Sequence, residues 1–377
     1  MKNIQEFHKS LDIFGDIILK KLNSYLISNV FKILLITEFT GLVMFMTIEF
    51  FEHMSIFTAS FKNFILSIFY LCLKIPYYFN LILPLTFLIS ILILLILMIR
   101  NNEMIVVRTS GISTASIMKP LVLLSLMLIA FSFVLSEWII PVALNKSEYI
   151  YRIKIKKEEP YVFFKDGRIW FKRGKIISNI DFIDVKKDII KGLTVIELSD
   201  AYTIQRRIDA EEGIWKNGSW IFTDVVERTF DDEGIKSTKK YKNYKDIIKE
   251  PPSVFKVMEK GPEEMGYREL SNHIKRLKAD GHDIRRYLVD LYDKIAFPFI
   301  NLIMVFTAFS VGLRYTKTKH ISKGIFAGIS IGALYFFSHS ISLSFGYSEI
   351  FPPIFAVWFS NILFLSAGVI GIVTLRT

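Results

Sequence analysis

The sequence predicts a membrane protein of six transmembrane helices with an all-β, jellyroll-like domain inserted after the third helix. Residues from about 25 to 136 and from 287 to 375 are apolar enough to lie in lipid. Residues from about 140 to 286 are instead rich in charged and turn-forming residues. Over the whole chain, 52% of the residues are hydrophobic, which exceeds the usual share in soluble domains. We therefore expect one soluble domain that membrane helices hold at both ends.

Six segments approach or meet the length of about 20 residues that a helix needs to cross a bilayer. They lie at residues 25–51, 81–99, 120–135, 295–313, 321–345 and 354–373. The apolar residues 61–73 are fewer, and Lys74 and Pro76 are expected to end that segment. We interpret it as a re-entrant or interfacial helix that leads into the second span. A kinked, over-long second span fits the sequence equally well.

The loops between the spans differ in charge, and this difference predicts the orientation of the chain. Residues 100–119 carry three basic residues and one acid, and residues 314–323 carry four basic residues and no acid. Cytoplasmic loops are enriched in Lys and Arg. Six spans with a cytoplasmic N-terminus therefore place both basic loops and both termini in the cytoplasm, and the insert outside. The first 24 residues are charged and lack a small-residue cleavage site, so the first span is expected to stay in place.

The insert is predicted to be β structure because short runs rich in Val, Ile and aromatic residues alternate with X-Gly turn signals. These runs lie at residues 168–171, 194–198, 202–208 and 220–226. Short strands with frequent turns predict a sandwich or jellyroll. The residues expected to point inward between its two sheets are Trp170, Ile196, Leu198, Ile204 and Phe222. The predicted domains are residues 1–139, the N-terminal membrane half; 140–265, the β domain; 266–286, a helical connector; and 287–377, the C-terminal membrane half.

The chain carries no motif of a catalytic or cofactor-binding site. The pattern G-x-x-x-x-G-K-[ST] is absent, and the six His lack metal-ligand spacing. The letters G-x-S-x-G occur at residues 328–332, but they lie inside an apolar span and not at the strand-to-helix elbow that a hydrolase needs. The net charge of +11 does not indicate nucleic acid, because residues 145–265 carry 25 basic and 22 acidic residues in an interspersed order. The basic excess is instead attributed to membrane orientation. We expect no cofactor, no metal, no catalytic site and no nucleic-acid partner, and an energy source in another subunit.

The stretch RNNEMIVVRTSGIS at residues 100–113 is the sharpest local pattern. It is short and amphipathic and lies between the second and third spans. The helix expected within it ends at a glycine. Such a helix can enter a groove of a motor subunit and transmit its movement, whereas an ordinary charged loop is the structural alternative. The candidate coupling residues are Arg100, Glu103, Met104, Val107, Arg108 and Gly111.

Ionisable residues inside a membrane span are costly and are therefore candidates for function. Glu38 is the deepest in the first span, and its structural alternatives are pairing with Lys32 or simple access to water. His339 belongs to a polar stripe of serines in the fifth span, where hydrogen bonding between helices is the alternative to lining a cavity. Lys294, at the outer start of the fourth span, either forms a local ion pair or contacts an anionic head group.

Four segments together resemble one family. They are MGYRELSNHIKRLKADGHDIRRYLVDLYDKIAFPF at residues 265–299, NNEMIVVRTSGIS at 101–113, SEWIIPVALNKSEYIYR at 136–152 and GYSEIFPPIFAVWFSNILF at 346–364. In order and layout they resemble the LptF/LptG permeases of lipopolysaccharide export over essentially the whole chain. The last two segments are more similar to LptG than to LptF.

The resemblance implies a six-span protein of the Gram-negative inner membrane with a periplasmic β-jellyroll. In this family one LptF and one LptG enclose a cavity, a dimer of the ATPase LptB binds their coupling helices, and the jellyroll proteins LptC and LptA continue the lipid path. The chain is thus expected to be a transporter subunit, with ATP hydrolysis in LptB. If its β domain carries acyl chains, as the resemblance implies, the domain needs an apolar groove between its two sheets, lined by its inward-pointing residues. The alternative is a membrane-anchored structural or assembly protein with a protein-binding β domain.

The resemblance also implies a lipid-binding cavity near the outer end of the first span. Its candidate residues are Glu49, Phe50, Glu52, His53, Lys62, Lys294, Phe336 and His339. One departure from the family is visible, because sequences of the LptG type often carry a basic residue near Glu49 that suits lipid phosphates. Lys62, Lys74 or Lys294 are the candidates to replace that residue.

Overall fold

The computed structural model describes residues 2–156, 161–165, 168–184, 188–199, 203–216, 218–231, 234–245, 247–248, 261–279, 283–313 and 321–374. The chain divides into two compact units, one formed by Met1–Glu148 with Gly266–Thr377 and the other by Tyr149–Met265. Most of the predicted basic loop at residues 314–323 and the predicted turn at residues 166–167 lie outside the described residues.

The helices explain the two hydrophobic bands of the sequence. They are, in chain order, α1 (Lys2–Glu52), α2 (Met54–Phe57), α3 (Phe61–Arg100), α4 (Glu103–Thr109), α5 (Thr114–Val134), α6 (Ile140–Tyr149), α7 (Tyr267–Ala279), α8 (Arg285–Ala296), α9 (Ile300–Gly312), α10 (Ile321–Tyr347) and α11 (Pro353–Val373). Within the described residues, six helical segments are long and apolar enough to cross a membrane. These are Leu19–Glu52, Phe61–Arg100, Thr114–Arg152, Arg285–Gly312, Ile325–Tyr347 and Pro353–Val373. The predicted six-span architecture is confirmed.

The second span is one over-long helix, α3, so the separate re-entrant segment at residues 61–73 is not formed. The expectation that Lys74 and Pro76 end a helix there is wrong, because α3 continues through Pro76 and Pro84. Each proline removes one backbone hydrogen bond, but neighbouring helices and polar side chains compensate for such losses inside membranes. Lys74 is tolerated because it forms an ion pair with α1. The alternative of an over-long span is the correct one.

The core of the membrane unit is centred on α3. Its buried side chains, among them Phe87, Leu88 and Ile91, pack in one cluster with Met304 and Phe309 of α9. α1 packs chiefly against α3, and most of its other faces are exposed in the isolated chain. Burial of about 25 cal/mol per Å² of apolar surface stabilises such a cluster in water. In lipid, close packing between helices takes over that role.

A π-helical segment at Leu135–Ile139 lies between α5 and α6, shortly before the insert begins. The carboxylate of Glu137 in this segment accepts a hydrogen bond of 2.6 Å from the backbone N–H of Tyr267, the first residue of α7. An acid at a helix N-terminus satisfies an otherwise unpaired N–H group. The chain just before the insert is therefore joined to the chain just after it.

Within its described residues, the insert is an antiparallel sheet of seven strands that follow one another in chain order. They are β1 (Tyr161–Lys165), β2 (Arg168–Arg173), β3 (Ile176–Asp184), β4 (Ile189–Leu198), β5 (Ile204–Lys216), β6 (Ser219–Asp231) and β7 (Gly234–Lys245). The all-β character of the insert is confirmed. Its strands form one continuous sheet, however, where the sequence predicted two. The described turns connect neighbouring strands directly, so each strand pairs with the next.

Strands β3, β4, β5 and β6 bend at matching positions, and we call this line of bends the crease. The bends let the single sheet enclose an apolar core. In each strand, two buried residues are three positions apart, whereas regular alternation places such residues at even spacings. The pairs are Ile180 and Ile183, Ile190 and Leu193, Ala210 and Gly213, and Phe222 and Val225. Cross-strand register joins them in rows. Gly192 (φ 63°) and Asp224 (φ 52°) lie between members of these pairs in left-handed conformations, which bend the strands.

The register separates the predicted groove residues between the two faces of the sheet. Phe222 is fully buried and packs on Trp220. Trp170 and Ile196 directly neighbour the buried Phe171 and Val195 in their strands, so they belong to the opposite face and the expectation that they point inward is wrong.

Leu198 and Ile204 pair with each other beyond a bulge, and Ile204 is 45% exposed. The buried face is instead formed by residues that sequence reasoning missed. They include Ile169, Phe171, Ile180, Leu193, Val195, Ile208 and Trp220. Regular alternation in the middle of β4 was a signal for two of them, Leu193 and Val195.

The opposite face carries a charged cluster around Asp209. Its carboxylate accepts hydrogen bonds from Thr194, Arg207 and Arg228 at 2.6–3.0 Å. Burial alone would raise the pKa of Asp209, but the bonds from Arg207 and Thr194 and the charges of both arginines lower it below its ordinary value. The two faces of the sheet thus differ. The buried face is mainly apolar, with the ion pairs of Arg206 with Glu197 and Glu227 at one end, and the opposite face carries the charged cluster around Asp209.

Replacing Gly213 by Val is expected to destabilise the β domain by about 3 kcal/mol, at the upper end of overpacking costs. A Cβ atom at this position would lie 2.3 Å from Cε1 of Phe222, inside the buried row of the crease. Limited proteolysis of the full chain, with fragments identified by mass spectrometry, should show faster cleavage within residues 149–265. The double variant Gly213→Ala with Phe222→Leu should recover much of the resistance. Equal protease resistance of Gly213→Val and the wild type would contradict the crease.

Candidate functional site

The predicted coupling stretch forms a short helix, α4, with a defined conformation at each end. Asn102 precedes it in a left-handed conformation (φ 61°), and Gly111 follows it at φ 76°. The N–H of Gly111 donates to the carbonyl of Arg108, and that of Ile112 donates to the carbonyl of Val107. This is the pattern of a glycine-capped helix end. The sequence therefore fixes both the length of α4 and the direction in which the chain leaves it.

One side of α4 is attached to the membrane core. Met104 is 3% exposed and joins the cluster around α3, and Val107 packs against the same cluster. Glu103 accepts a hydrogen bond of 2.7 Å from the phenol of Tyr25 in α1, and a second one from Asn101. Met104, Val107 and Glu103 thus hold α4 against two membrane helices.

The other side of α4 is apolar and open. Ile105 and Val106 are 60% and 62% exposed, and Arg100, Arg108 and Gly111 are exposed as well. These two adjacent aliphatic side chains form a small apolar surface at a helix whose ends are fixed. Ile105 and Val106 were not among the predicted coupling residues. Their signal in the sequence was the unbroken run of apolar residues from Met104 to Val107, which is too long for one face of a short helix.

A second candidate site lies where the C-terminal part of α1 packs on α3. Glu49 is 6% exposed, and its carboxylate lies 2.6 Å from Nζ of Lys74. It also accepts hydrogen bonds from the phenols of Tyr70 and Tyr78, and His53 lies one turn further along α1 with Nε2 at 3.7 Å. Glu49 therefore points into the protein, and Lys74 neutralises its charge.

Aromatic side chains extend this second site. Phe50 packs against Phe57 and Phe64, with ring centroids 5.9 and 6.4 Å apart. Glu52 and Lys62 are exposed next to it. The contribution of Tyr70 and Tyr78 was not predicted, although Tyr70, Lys74 and Tyr78 are spaced four residues apart and so share one face of a helix.

The remaining predicted cavity residues lie in the C-terminal half. His339 of α10 is 5% exposed, and its Nε2 lies 3.0 Å from Oδ1 of Asp293 in α8 without hydrogen-bonding alignment. Its ring stacks on Tyr335, against which Phe336 also packs. Lys294 follows Asp293 in the last turn of α8 and is half-buried. The predicted residues thus form two groups, one on α1 and α3 and one on α8 and α10.

Serines and amides complete the polar stripe of α10. Ser338 lies 3.0 Å from Ser360 of α11, and Ser342 donates to the carbonyl of Ala356 at 2.6 Å. Tyr335 donates to Asn361, whose amide in turn donates to the carbonyl of Ala296. The polar stripe thus joins α8, α10 and α11 by hydrogen bonds. This agrees with the alternative that these serines bond between helices rather than line a cavity.

Comparison with known proteins finds matches over both the membrane helices and the insert. A sequence model of the family described as "Lipopolysaccharide export system permease LptF/LptG" matches residues 24–374. Two curated relatives are the lipopolysaccharide export system permease proteins LptG of Escherichia coli strain K12 and of Escherichia coli O6:H1 strain CFT073. Each is 19% identical to this chain over 276 residues, which are 71% of this chain and 74% of the relative.

Proposed function

Because the chain belongs to the LptF/LptG family of lipopolysaccharide export permeases, we propose that it is the permease subunit of an ABC-type exporter. In this proposal it extracts lipopolysaccharide from the inner membrane and passes it to a periplasmic bridge of jellyroll proteins. The partners are a second permease, LptF-like if this chain is the LptG type, an LptB-like ATPase dimer, and the jellyroll proteins LptC and LptA. Both termini lie in the cytoplasm, and the β domain lies in the periplasm.

The single observation that carries this proposal is the capped helix α4. It presents Ile105 and Val106 outward while Met104 anchors it in the membrane core. A force applied to its outer side is transmitted to α3 through packed side chains and to α1 through the bond from Tyr25 to Glu103. A passive membrane anchor needs no such helix. We therefore assign α4 as the docking site of the ATPase.

The energetics of the cargo require a shielded path. Each CH₂ group moved from apolar surroundings into water costs about 0.8 kcal/mol, so exposed acyl chains would oppose export. The β domain supplies one apolar face, with Phe171, Val195 and Phe222 among its buried residues, and one charged face around Asp209. We assign the apolar face to the acyl chains.

The head group is assigned to the outer site on α1 and α3 together with Lys294 on α8. In this site Lys74 and the two tyrosines offer one cation and two hydroxyl donors, which is the chemistry that phosphate groups require. Glu49 accepts hydrogen bonds from these donors and acts as their internal counter-ion, so a phosphate would compete with it for them. Lys62 is exposed nearby and adds a second positive charge.

A photo-crosslinking experiment on two adjacent residues tests the path. Tyr241 pairs with Val225 and packs on the buried cluster, whereas its neighbour Lys240 pairs with Val226 on the charged face. We expect a photoreactive residue at position 241, but not at 240, to form an ATP-dependent adduct with lipopolysaccharide when the whole exporter is co-expressed.

The outcomes separate the alternatives. A stable complex with equal labelling at both positions would remove the apolar face from the path and leave the permease role standing. Neither complex nor adduct would favour a structural or assembly protein with a protein-binding β domain.

A further inference from the structure

Glu38 is a buried acid in the middle of the first span that the proposed transport mechanism does not use. Its side chain is 2% exposed. Oε2 accepts a hydrogen bond of 2.5 Å from Oγ1 of Thr86 in α3. Oε1 is buried and has no hydrogen-bond partner within the described part of the chain. The predicted alternative of an ion pair with Lys32 is wrong, because the side chain of Lys32 is exposed.

The immediate surroundings of Glu38 are polar but uncharged. Thr37 Oγ1 and Ser90 Oγ lie 3.1 Å apart across the same contact of α1 with α3, and Ser90 donates to the carbonyl of Thr86 at 2.6 Å. Thr37 Oγ1 donates to the carbonyl of Ile33 at 3.0 Å, so the proton of each hydroxyl already goes to a backbone carbonyl. None of them is available to stabilise a negative charge on Oε1.

The nearest charged group on α1 is Lys32, six residues or about 9 Å away along the helix axis, and its side chain is exposed. The other charged and titratable groups on the packed helices lie further from Glu38. Glu49 on α1 is 11 residues away, about 16 Å at 1.5 Å per residue, and Tyr78 and Lys74 on α3 are about 12 and 18 Å from Thr86. Lys74 and Tyr78 are also bound to Glu49. On α5, Lys119 is exposed near the start of the helix.

An ionised carboxylate in these surroundings has lost its hydration without gaining a cation. Isolated charges inside proteins and membranes are so costly that the group takes up a proton instead. We propose that Glu38 is a membrane-embedded proton-binding site. Its carboxyl group is protonated while α1 lies against α3, and it releases the proton to water when α1 moves away and the group becomes hydrated.

The direction of the pH effect follows from this assignment. The packed state binds the proton more tightly than the separated state, so a rise in pH favours separation of α1 from α3 and a fall in pH favours packing. One proton can shift this equilibrium by up to about tenfold per pH unit. The proton site therefore makes the position of the first span sensitive to pH, whichever molecule the protein transports.

Infrared spectroscopy of the full chain, in complex with its partner permease and ATPase in lipid nanodiscs, tests the protonation state directly. The difference spectrum between wild type and Glu38→Gln at neutral pH should contain the carbonyl band of a protonated carboxylic acid. Glu49→Gln, in the same helix, should leave that band in place. A carboxylate band in its stead would overturn the proposal. So would loss of the acid band on adding Na⁺ at constant pH, since the site would then hold a cation.

Crosslinking measures the linkage to helix position. Phe50 and Phe64 are packed across α1 and α3, so cysteines at both positions in a Cys72→Ser background should react with a short bis-maleimide while the helices are packed. We expect the yield to fall as the pH rises, and Glu38→Gln to remove this dependence. An unchanged pH response in Glu38→Gln would refute the linkage. If Glu38→Gln fails to fold, pH titration of the wild-type acid band still decides, because a band that never titrates contradicts release of the proton.

Discussion

Val106→Asp is expected to abolish co-purification of the ATPase while leaving the chain folded in the membrane with its partner permease. Val106 is 62% exposed on α4, so the change costs little in the chain itself. In the docked state it would bury a charge in an apolar contact. Burying an unpaired charge in an apolar contact costs several kcal/mol, and a loss of only about 2 kcal/mol already lowers the affinity roughly thirtyfold.

Three further variants sharpen the test. Ile105→Asp should behave like Val106→Asp, since Ile105 is 60% exposed on the same side. Glu103→Lys should also weaken the complex, because it removes the acceptor of the bond from Tyr25. Val106→Ile keeps the surface apolar and should bind the ATPase normally. Normal co-purification of the ATPase with Val106→Asp would remove α4 from the coupling role.

Lys74→Met is expected to destabilise the membrane unit by about 3 kcal/mol. The change leaves the carboxylate of Glu49, which is 6% exposed, with two tyrosine hydroxyls and without its cation. Removal of one partner of a buried ion pair typically costs 3–5 kcal/mol, because the other charge stays behind without compensation. We expect a cost at the lower end of this range because the side chain of Lys74 is 16% exposed, so water partly screens the ion pair. Thermal unfolding of the purified complex in detergent, followed by tryptophan fluorescence, measures the loss.

The matched control for this prediction is Lys62→Met, which removes an exposed lysine from the same helix. It should change the stability by less than about 0.5 kcal/mol, as surface substitutions usually do. The double variant Glu49→Gln with Lys74→Met should regain most of the loss, since neither charge remains. Equal stabilities of Lys74→Met and Lys62→Met would mean that the ion pair with Glu49 contributes nothing.

The candidate sites differ in how far the sequence could reveal them. The coupling stretch was recognisable because a short charged segment between two apolar ones is a local pattern. The surface by which it contacts a partner could not be recognised from the sequence. Met104 and Val106 are both apolar, and only packing against α3 decides which of them is buried. Likewise, Glu49 was assigned to the lipid, whereas the structure turns it toward Lys74, 25 residues away.

The β domain shows the same division. Its strands β2, β4, β5 and β6 were predicted from runs of β-branched and aromatic residues. Strand β7, with five lysines in twelve residues, carries no such signal and was missed. Side chains alternate between the two faces of a sheet along each strand. One left-handed residue in the crease shifts this alternation by one position, so the residues beyond it lie on the face opposite to the expected one.

The sequence by itself determined the six spans, the all-β insert and the family of this protein. Length, hydropathy and charge act through the solvent that each segment requires, and they need no knowledge of neighbours. Only the tertiary structure decided that residues 61–100 are one helix, which face of α4 is free, and that Glu38 lacks a charged partner among the described residues. These properties depend on contacts between residues far apart in the chain, such as that between Glu38 and Thr86. The free energy of a buried charge or an exposed side chain is set by those contacts, and a linear pattern does not contain them.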